Sequence, residues 1–141
     1  SNQNHVLTDF IKTGHYDLRE RKLAQTFSPS IDILKSSNLE RHLHLMANKD
    51  GQLMTELFNR LESQHHFQIE KALVEKLQQD FVADWCSEGE CLAAINSTYN
   101  TSGYILDPHT AVAKVVAAVV VERERSPHLV VFRFSMKREI K

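Results

Sequence analysis

Val6, Leu7, Phe10 and Ile11 recur at three- and four-residue spacings, which puts one apolar stripe along a short helix. Gly14 follows at the position where a helix ends in left-handed backbone. Phe27-Ser28-Pro29-Ser30-Ile31-Asp32 predicts a turn or loop, because Pro29 biases Ser28 away from helix. The helical pattern returns from Ser37, with Leu39, Leu43 and Met46 on one face and Ser37 or Asn38 placed to cap it. Asp50-Gly51 breaks that run. Leu53, Leu57, Phe58 and Leu61 then predict a further helix, and Ile69, Leu73, Val74 and Leu77 another.

The texture changes after Asp80. Phe81, Val82, Ala83 and Trp85 suit a short strand between Asp80 and Ser87. Glu88 to Tyr99 predicts a helix with Cys91, Leu92 and Ile95 on one face. Asp107-Pro108 is a helix start, with Asp as N-cap and Pro at the first helical position, and the helix runs along Ala111 to Val121. His128 to Ser135 alternates apolar and polar residues and predicts a second strand. Five or more helices with two short strands give a helix-rich α/β reading.

The length of 141 residues allows one domain or part of a larger one. Hydrophobic residues at 42% and charged residues at 25% are those of an ordinary globular chain, and the net charge of −1 implies no polyanionic partner such as a nucleic acid. Acidic residues prevail up to Val121, and basic residues prevail from Glu122 onward, where Val/Phe-rich sequence replaces helical patterning. That shift marks a candidate boundary. The most apolar run, Ala111 to Val121, is shorter than the roughly 20 residues a bilayer core requires, and the first residues show no secretory pattern. The expectation is a soluble intracellular chain, in the cytoplasm first and the mitochondrion second.

Metal and nucleotide chemistry find little support. His42 and His44 point to different faces of one helix, His65 and His66 are adjacent, and Cys86 and Cys91 form no C-x-x-C pair. With four scattered glycines there is no phosphate-binding glycine loop and no nucleophile elbow. Asp107-Pro108-His109-Thr110 is more informative: it sets a carboxylate, an imidazole and a hydroxyl at a helix N-terminus, where free N–H groups favour an anion. Its plainer reading is an ordinary helix cap.

Four stretches together resemble the threonine synthase family, and in particular the vertebrate threonine synthase-like proteins. They are Asn2-x-Asn4-His5-Val6-Leu7 with Phe10 and Thr13-Gly14-x-Tyr16; Ser28-Pro29-Ser30-Ile31-Asp32-Ile33; Ser37-Asn38-Leu39-Glu40-Arg41; and Gly103-Tyr104-x-Leu106-Asp107-Pro108-His109-Thr110-Ala111-Val112. The resemblance covers residues 1–117. It implies part of a tryptophan-synthase-β-like, fold type II enzyme domain dependent on pyridoxal 5'-phosphate, with residues 118–141 a divergent Val-rich, basic tail.

The resemblance further implies a phospho-lyase that eliminates phosphate from a phosphorylated small amino acid such as O-phosphohomoserine. By it, Asp107, His109 and Thr110 line the mouth of the substrate pocket, Ser28, Ser30 and Asp32 form a loop closing over substrate, and Asn38 and Arg41 position that loop. The family's Schiff-base lysine and phosphate-holding loop belong to sequence upstream of Asn2, so none of these residues is expected to be catalytic and the chain alone is expected to be inactive, with no cofactor bound. Lys49-Asp50 imitates the family's Phe-Lys-Asp context only superficially. The alternative is a non-catalytic helical interaction module from a splice variant, with a protein partner of its own.

Overall fold

The structure, a computed structural model, describes residues 1–124. Its elements are α1 (Val6–Thr13), β1 (His15–Asp17), a 3-10 turn (Pro29–Ile31), α2 (Ser37–Met46), α3 (Gly51–Gln64), β2 (His66–Gln68), α4 (Lys71–Asp80), α5 (Glu88–Ser102) and α6 (Pro108–Glu124). The predicted helices are all present. The strand predicted over His128–Ser135 lies outside the described residues.

Two buried clusters organise these elements. The larger joins α1, α2, α3, α4 and the strand pair around Val6, Phe10, Tyr16, Leu43, Leu57, Leu61, Phe67 and Leu77. The apolar stripes of four helices meet there, and burial of such stripes, more than helix propensity, stabilises helices of 8 to 14 residues. β1 and β2 pair antiparallel, with Tyr16 opposite Phe67. Those two rings stack at 5.4 Å, and Phe10 meets Tyr16 edge-on at 5.5 Å. The buried Tyr16 hydroxyl donates to Leu34 O at 2.7 Å and accepts from the Ser36 N–H at 3.0 Å, so the start of α2 is fastened to the core.

The smaller cluster holds Cys86, Cys91, Ala111 and Val112, with Ile31, Ala94, Ile95, Val115 and Val116 packed around it. It is the seam between α5 and α6, where the first turn of α5 meets the first turn of α6: Cys91 Sγ lies 3.6 Å from Pro108 O. Ser87 and Glu90 form a reciprocal capping box at the start of α5, and Gly103 ends it in left-handed backbone at φ +69°. α6 continues unbroken past Ala117 to Glu124.

Three local expectations are corrected. Among the described residues no strand is assigned over Phe81 to Ser87; Phe81, Val82 and Trp85 are exposed, and the segment is held through Ser1, which donates to Asp84 O at 2.8 Å and accepts from the Cys86 N–H at 2.9 Å. Extended propensity alone does not make a strand where no described strand pairs with it. The strands that do form, His15–Asp17 and His66–Gln68, are three residues each and too short to show alternation. Leu92 lies outside the buried face of α5, at 48% exposure, whereas Cys91 and Ile95 face α6. The N-cap of α2 is Ser36 rather than Ser37 or Asn38, and no side chain caps it. Asp50, the break after α2, is itself the cap of α3 and accepts from the Leu53 N–H at 2.9 Å.

Candidate functional site

The residues before α1 organise the loop 24–32. Asn2 is fully buried; its Nδ2 lies 2.7 Å from Asp32 Oδ1, 2.8 Å from Thr26 Oγ1 and 3.0 Å from Ser28 Oγ. Its Oδ1 accepts from the Asn4 N–H at 2.9 Å. Asn4 Nδ2 donates to Asp32 Oδ1 and to Ala24 O, both at 2.9 Å, while its Oδ1 accepts from the Ala24 N–H. Thr26 adds its N–H to Asp32 Oδ2 at 2.9 Å and its hydroxyl to Oδ1 at 2.6 Å.

Asp32 thus accepts four hydrogen bonds. Burial works against its charge, but the donors from Thr26, Asn2 and Asn4 outweigh burial and hold the carboxyl below its ordinary range. An ionised carboxylate at the centre of a loop needs such donors, because an unpaired polar group in that position is strongly unfavourable.

At the start of α6, Asp107 Oδ1 accepts the N–H groups of His109 at 3.0 Å and Thr110 at 3.2 Å, and Oδ2 accepts the Thr110 hydroxyl. Burial again opposes the charge, and bonds from Thr110 and His109 prevail, so the Asp107 carboxyl is also lowered. This is the cap that Asp107-Pro108 predicts.

The two arrays meet. The Ser30 N–H donates to His109 Nε2 at 3.2 Å, and the Phe27 N–H donates to Glu88 Oε2 at 2.8 Å. Ile31 packs into the Cys86–Cys91–Val112 cluster. The loop is therefore one bridge between the N-terminal body and the α5–α6 pair; another is the Ser1 carbonyl, which accepts from the Cys86 N–H at 2.9 Å. Beside it lies a cleft of about 650 Å³, walled by Val112, Val116 and Val120 of α6, by Leu7 and Tyr16 of the body and by Ile31 and Ile33 of the loop, with Asn4, Asp80 and His109 as polar points.

Six of the eight residues assigned by resemblance come together in this way: Ser28, Ser30 and Asp32 on the loop, and Asp107, His109 and Thr110 on α6. Ser28 is fully buried and serves the loop's own bonding; Ser30 is exposed. Asn38 and Arg41 stand apart, exposed on the first turns of α2 and hydrogen-bonded to one another. The bonds that hold the loop come from Asn2, Asn4 and Thr26. Those three carried no assigned role in the sequence, although two carboxamides just ahead of an apolar helix were a signal of buried polar bonding.

Among the described residues, none that lines the cleft is a lysine. Lys12 pairs with Asp84 at 3.1 Å, Lys35 with Glu62 and Lys71 with Glu75, and Lys114 donates to Thr98 Oγ1 at 2.6 Å. Lys49 sits exposed in the tight turn after α2, at φ +65°. No described group of three or more His, Cys, Asp or Glu side chains converges as a metal site, and no described helix is long and apolar enough to cross a membrane.

Comparison with known proteins defines the class. The chain superposes on the crystal structure of yeast threonine synthase with a TM-score of 0.78 at 36% identity, covering 88% of this chain and 26% of that one. A pyridoxal-phosphate-bound threonine synthase from Brucella melitensis matches equally, with a TM-score of 0.78 at 32% identity over 89% of this chain and 26% of that one. The fold is thus a helix-rich portion of a pyridoxal-phosphate-dependent α/β enzyme domain.

In sequence, the chain is 96% identical over 123 residues to human threonine synthase-like 1, an alignment that spans 87% of this chain and 17% of that protein. It is 38% identical over 125 residues to threonine synthase of Saccharomyces cerevisiae, spanning 79% of this chain and 24% of that protein. No family model matches the chain. The chain belongs to the threonine synthase family, on the threonine synthase-like side of it, and spans about a sixth of the length of that human relative.

Proposed function

We propose that this chain supplies the substrate-closing portion of a pyridoxal-phosphate-dependent phospho-lyase acting on an O-phosphohomoserine-like amino acid, and that it is inactive by itself. The observation that carries this reading is the convergence at Ser30–His109 of the loop and the helix start that the family resemblance assigns to the pocket. The 28–32 loop covers the substrate, the Asp107–Thr110 turn lines the pocket mouth, and Arg41 offers a guanidinium to a carboxylate or phosphate. Asn38 holds Arg41 in place through their mutual bond. The cofactor, when bound to its lysine elsewhere in the enzyme, serves as the electron sink for proton loss and phosphate departure. The absence of lysine among the described residues that line the cleft supports assigning that lysine to another part of the enzyme.

The test combines borohydride trapping with a phosphate-release assay. The chain with pyridoxal phosphate is expected to give no single-lysine adduct and no phosphate from O-phosphohomoserine. Mixing it with the complementary part of human threonine synthase-like 1 is expected to restore phosphate release. A specific adduct with turnover on the chain alone would overturn its assigned inactivity. A folded, associated mixture that releases no phosphate would overturn the phospho-lyase reading.

A further inference from the structure

We propose that Phe81–Cys86 is a preformed edge for a parallel β-strand, and that its neighbour is the extended chain leading into Ser1 in the full-length protein. The bonds around Ser1 define the register. Its nitrogen donates to Asp84 O at 2.8 Å, and its carbonyl accepts from the Cys86 N–H at 2.9 Å. One residue bonded to the two residues that flank Trp85 is the repeat of a parallel ladder, with Ser1 opposite Trp85. An antiparallel hydrogen-bonded pair exchanges both bonds with a single residue instead.

Continuing that ladder backwards from Ser1 names the next contacts. Alternate residues of a strand turn their N–H and C=O toward a given neighbour, so Val82, Asp84 and Cys86 face the incoming chain while Ala83 and Trp85 face away. The second residue before Ser1 then donates to Val82 O, and the fourth accepts from the Val82 N–H. Among the described residues neither of these Val82 groups forms a hydrogen bond. Phe81, Val82, Ala83 and Trp85 have the composition of a strand, and the missing neighbour explains why none is assigned there.

The edge is already held in place, and there is room beside it. From α1, Thr8 Oγ1 donates to Asp84 O at 3.1 Å and Lys12 pairs with the Asp84 carboxylate at 3.1 Å. A segment fixed in this way has little left to lose in ordering when a strand adds to it. Ser1, Asp80 and Val82 line the same cleft of about 650 Å³, so chain running back from Ser1 past Val82 enters it beside the wall of Val112, Val116 and Val120. Burial lowers the Ser1 amino group, as expected where the position suits a neutral N–H better than a charge. The chain spans about a sixth of the human relative's length, so the occupant is sought within the same protein. The inference rests on backbone bonding and not on the chemistry proposed for the chain.

The experiment is amide hydrogen exchange, read by NMR, on this chain and on the same chain extended at its N-terminus. The extension is the half-dozen residues that precede the matching position in human threonine synthase-like 1. Before extension, the Cys86 amide is expected to exchange slowly and the Val82 amide fast. On extension, Val82 is expected to slow about fivefold or more, the scale of one added hydrogen bond, with Ala83 unchanged. Proline at the second residue before Ser1, which has no N–H to give Val82 O, is expected to undo that slowing. Slowing at Ala83 in place of Val82, equal slowing at both, no change at either, or indifference to the proline overturns the proposal. Should the extended chain aggregate, exchange in the full-length human relative, read by mass spectrometry, decides. A segment 81–86 that exchanges as fast there as in this chain overturns the proposal, and slower exchange there supports it.

Discussion

Asn2 reaches across thirty residues of chain to Asp32, its carboxamide Nδ2 lying 2.7 Å from the carboxylate Oδ1. That bond ties the entry to α1 to the loop that meets α6, and the buried Asn2 has no water to replace its partners. Asn2→Ala removes donors to Asp32, Thr26 and Ser28 together. It is expected to destabilise the chain by about 2 kcal/mol, the scale for stranding buried polar groups, read as a lower urea midpoint. Asn2→Asp sets a second carboxylate against Asp32 and is expected to be worse. A midpoint unchanged in Asn2→Ala would show that the network does not carry the loop.

Asp32 gives the chain an acid sensitivity whose sign follows from its lowered carboxyl. A group whose folded value lies below its unfolded value contributes stability above the unfolded value, about 3.9 for Asp, and loses it as pH falls through the folded one. The native chain is therefore expected to lose stability progressively below about pH 4. Asp32→Asn is expected to be less stable at neutral pH but to lose less on acidification. Asp107 and Glu90 are lowered too, so the difference between native and variant urea midpoints, measured across pH, isolates Asp32. Parallel curves would remove Asp32 as a source of the acid response.

The helices were legible because each carries a stripe that a single burial event explains: Phe10 in α1, Leu43 in α2, Leu57 and Leu61 in α3, Leu77 in α4. The caps at Gly14 and Asp107 were legible because their chemistry is local, whereas Asp50 read only as a break and is the cap of α3. Tyr16 opposite Phe67 was not, since a ladder of three residues is specified by tertiary packing and leaves no periodicity. Segment 81–87 misled for the converse reason: its residues suit a strand, but no strand edge among the described residues receives it. Of the site, the pairing of His109 with Ser30 joins residues 79 positions apart. Composition and spacing carry no trace of such a contact, and only the family resemblance brought both residues into one list of pocket residues.

Cys86 and Cys91 are both fully buried, and burial pushes the Cys86 thiol up to about 11, with Cys91 also raised. The thiolate is the reactive form, so both are expected to resist alkylation in the folded chain at about pH 8. Iodoacetamide labelling followed by mass spectrometry is expected to show both modified only under unfolding concentrations of urea. Rapid labelling of either without denaturant would mean that the α5–α6 seam opens readily.

Gly14 and Gly103 both end helices in left-handed backbone, at φ +75° and +69°, yet alanine is expected to act differently at each. At Gly103 an added Cβ meets nothing within 4 Å, so Gly103→Ala carries only the backbone strain, about 1 kcal/mol. At Gly14 the Cβ would lie 2.4 Å from Val74 Cγ2 and 3.3 Å from Ile69 Cγ1. Ile69 cannot easily retreat, because its N–H donates to Gly14 O at 3.0 Å and follows directly on β2. Overpacking adds about 1–3 kcal/mol to the strain, so Gly14→Ala is expected to lose roughly 3 kcal/mol in all. Urea unfolding of the two variants side by side measures the difference. Truncating Val74 to Ala in the Gly14→Ala background is expected to recover part of the loss, because it removes the clashing methyl group. Equal losses at the two glycines would show that Val74 swings away freely and that helix α4 is not held against the end of α1.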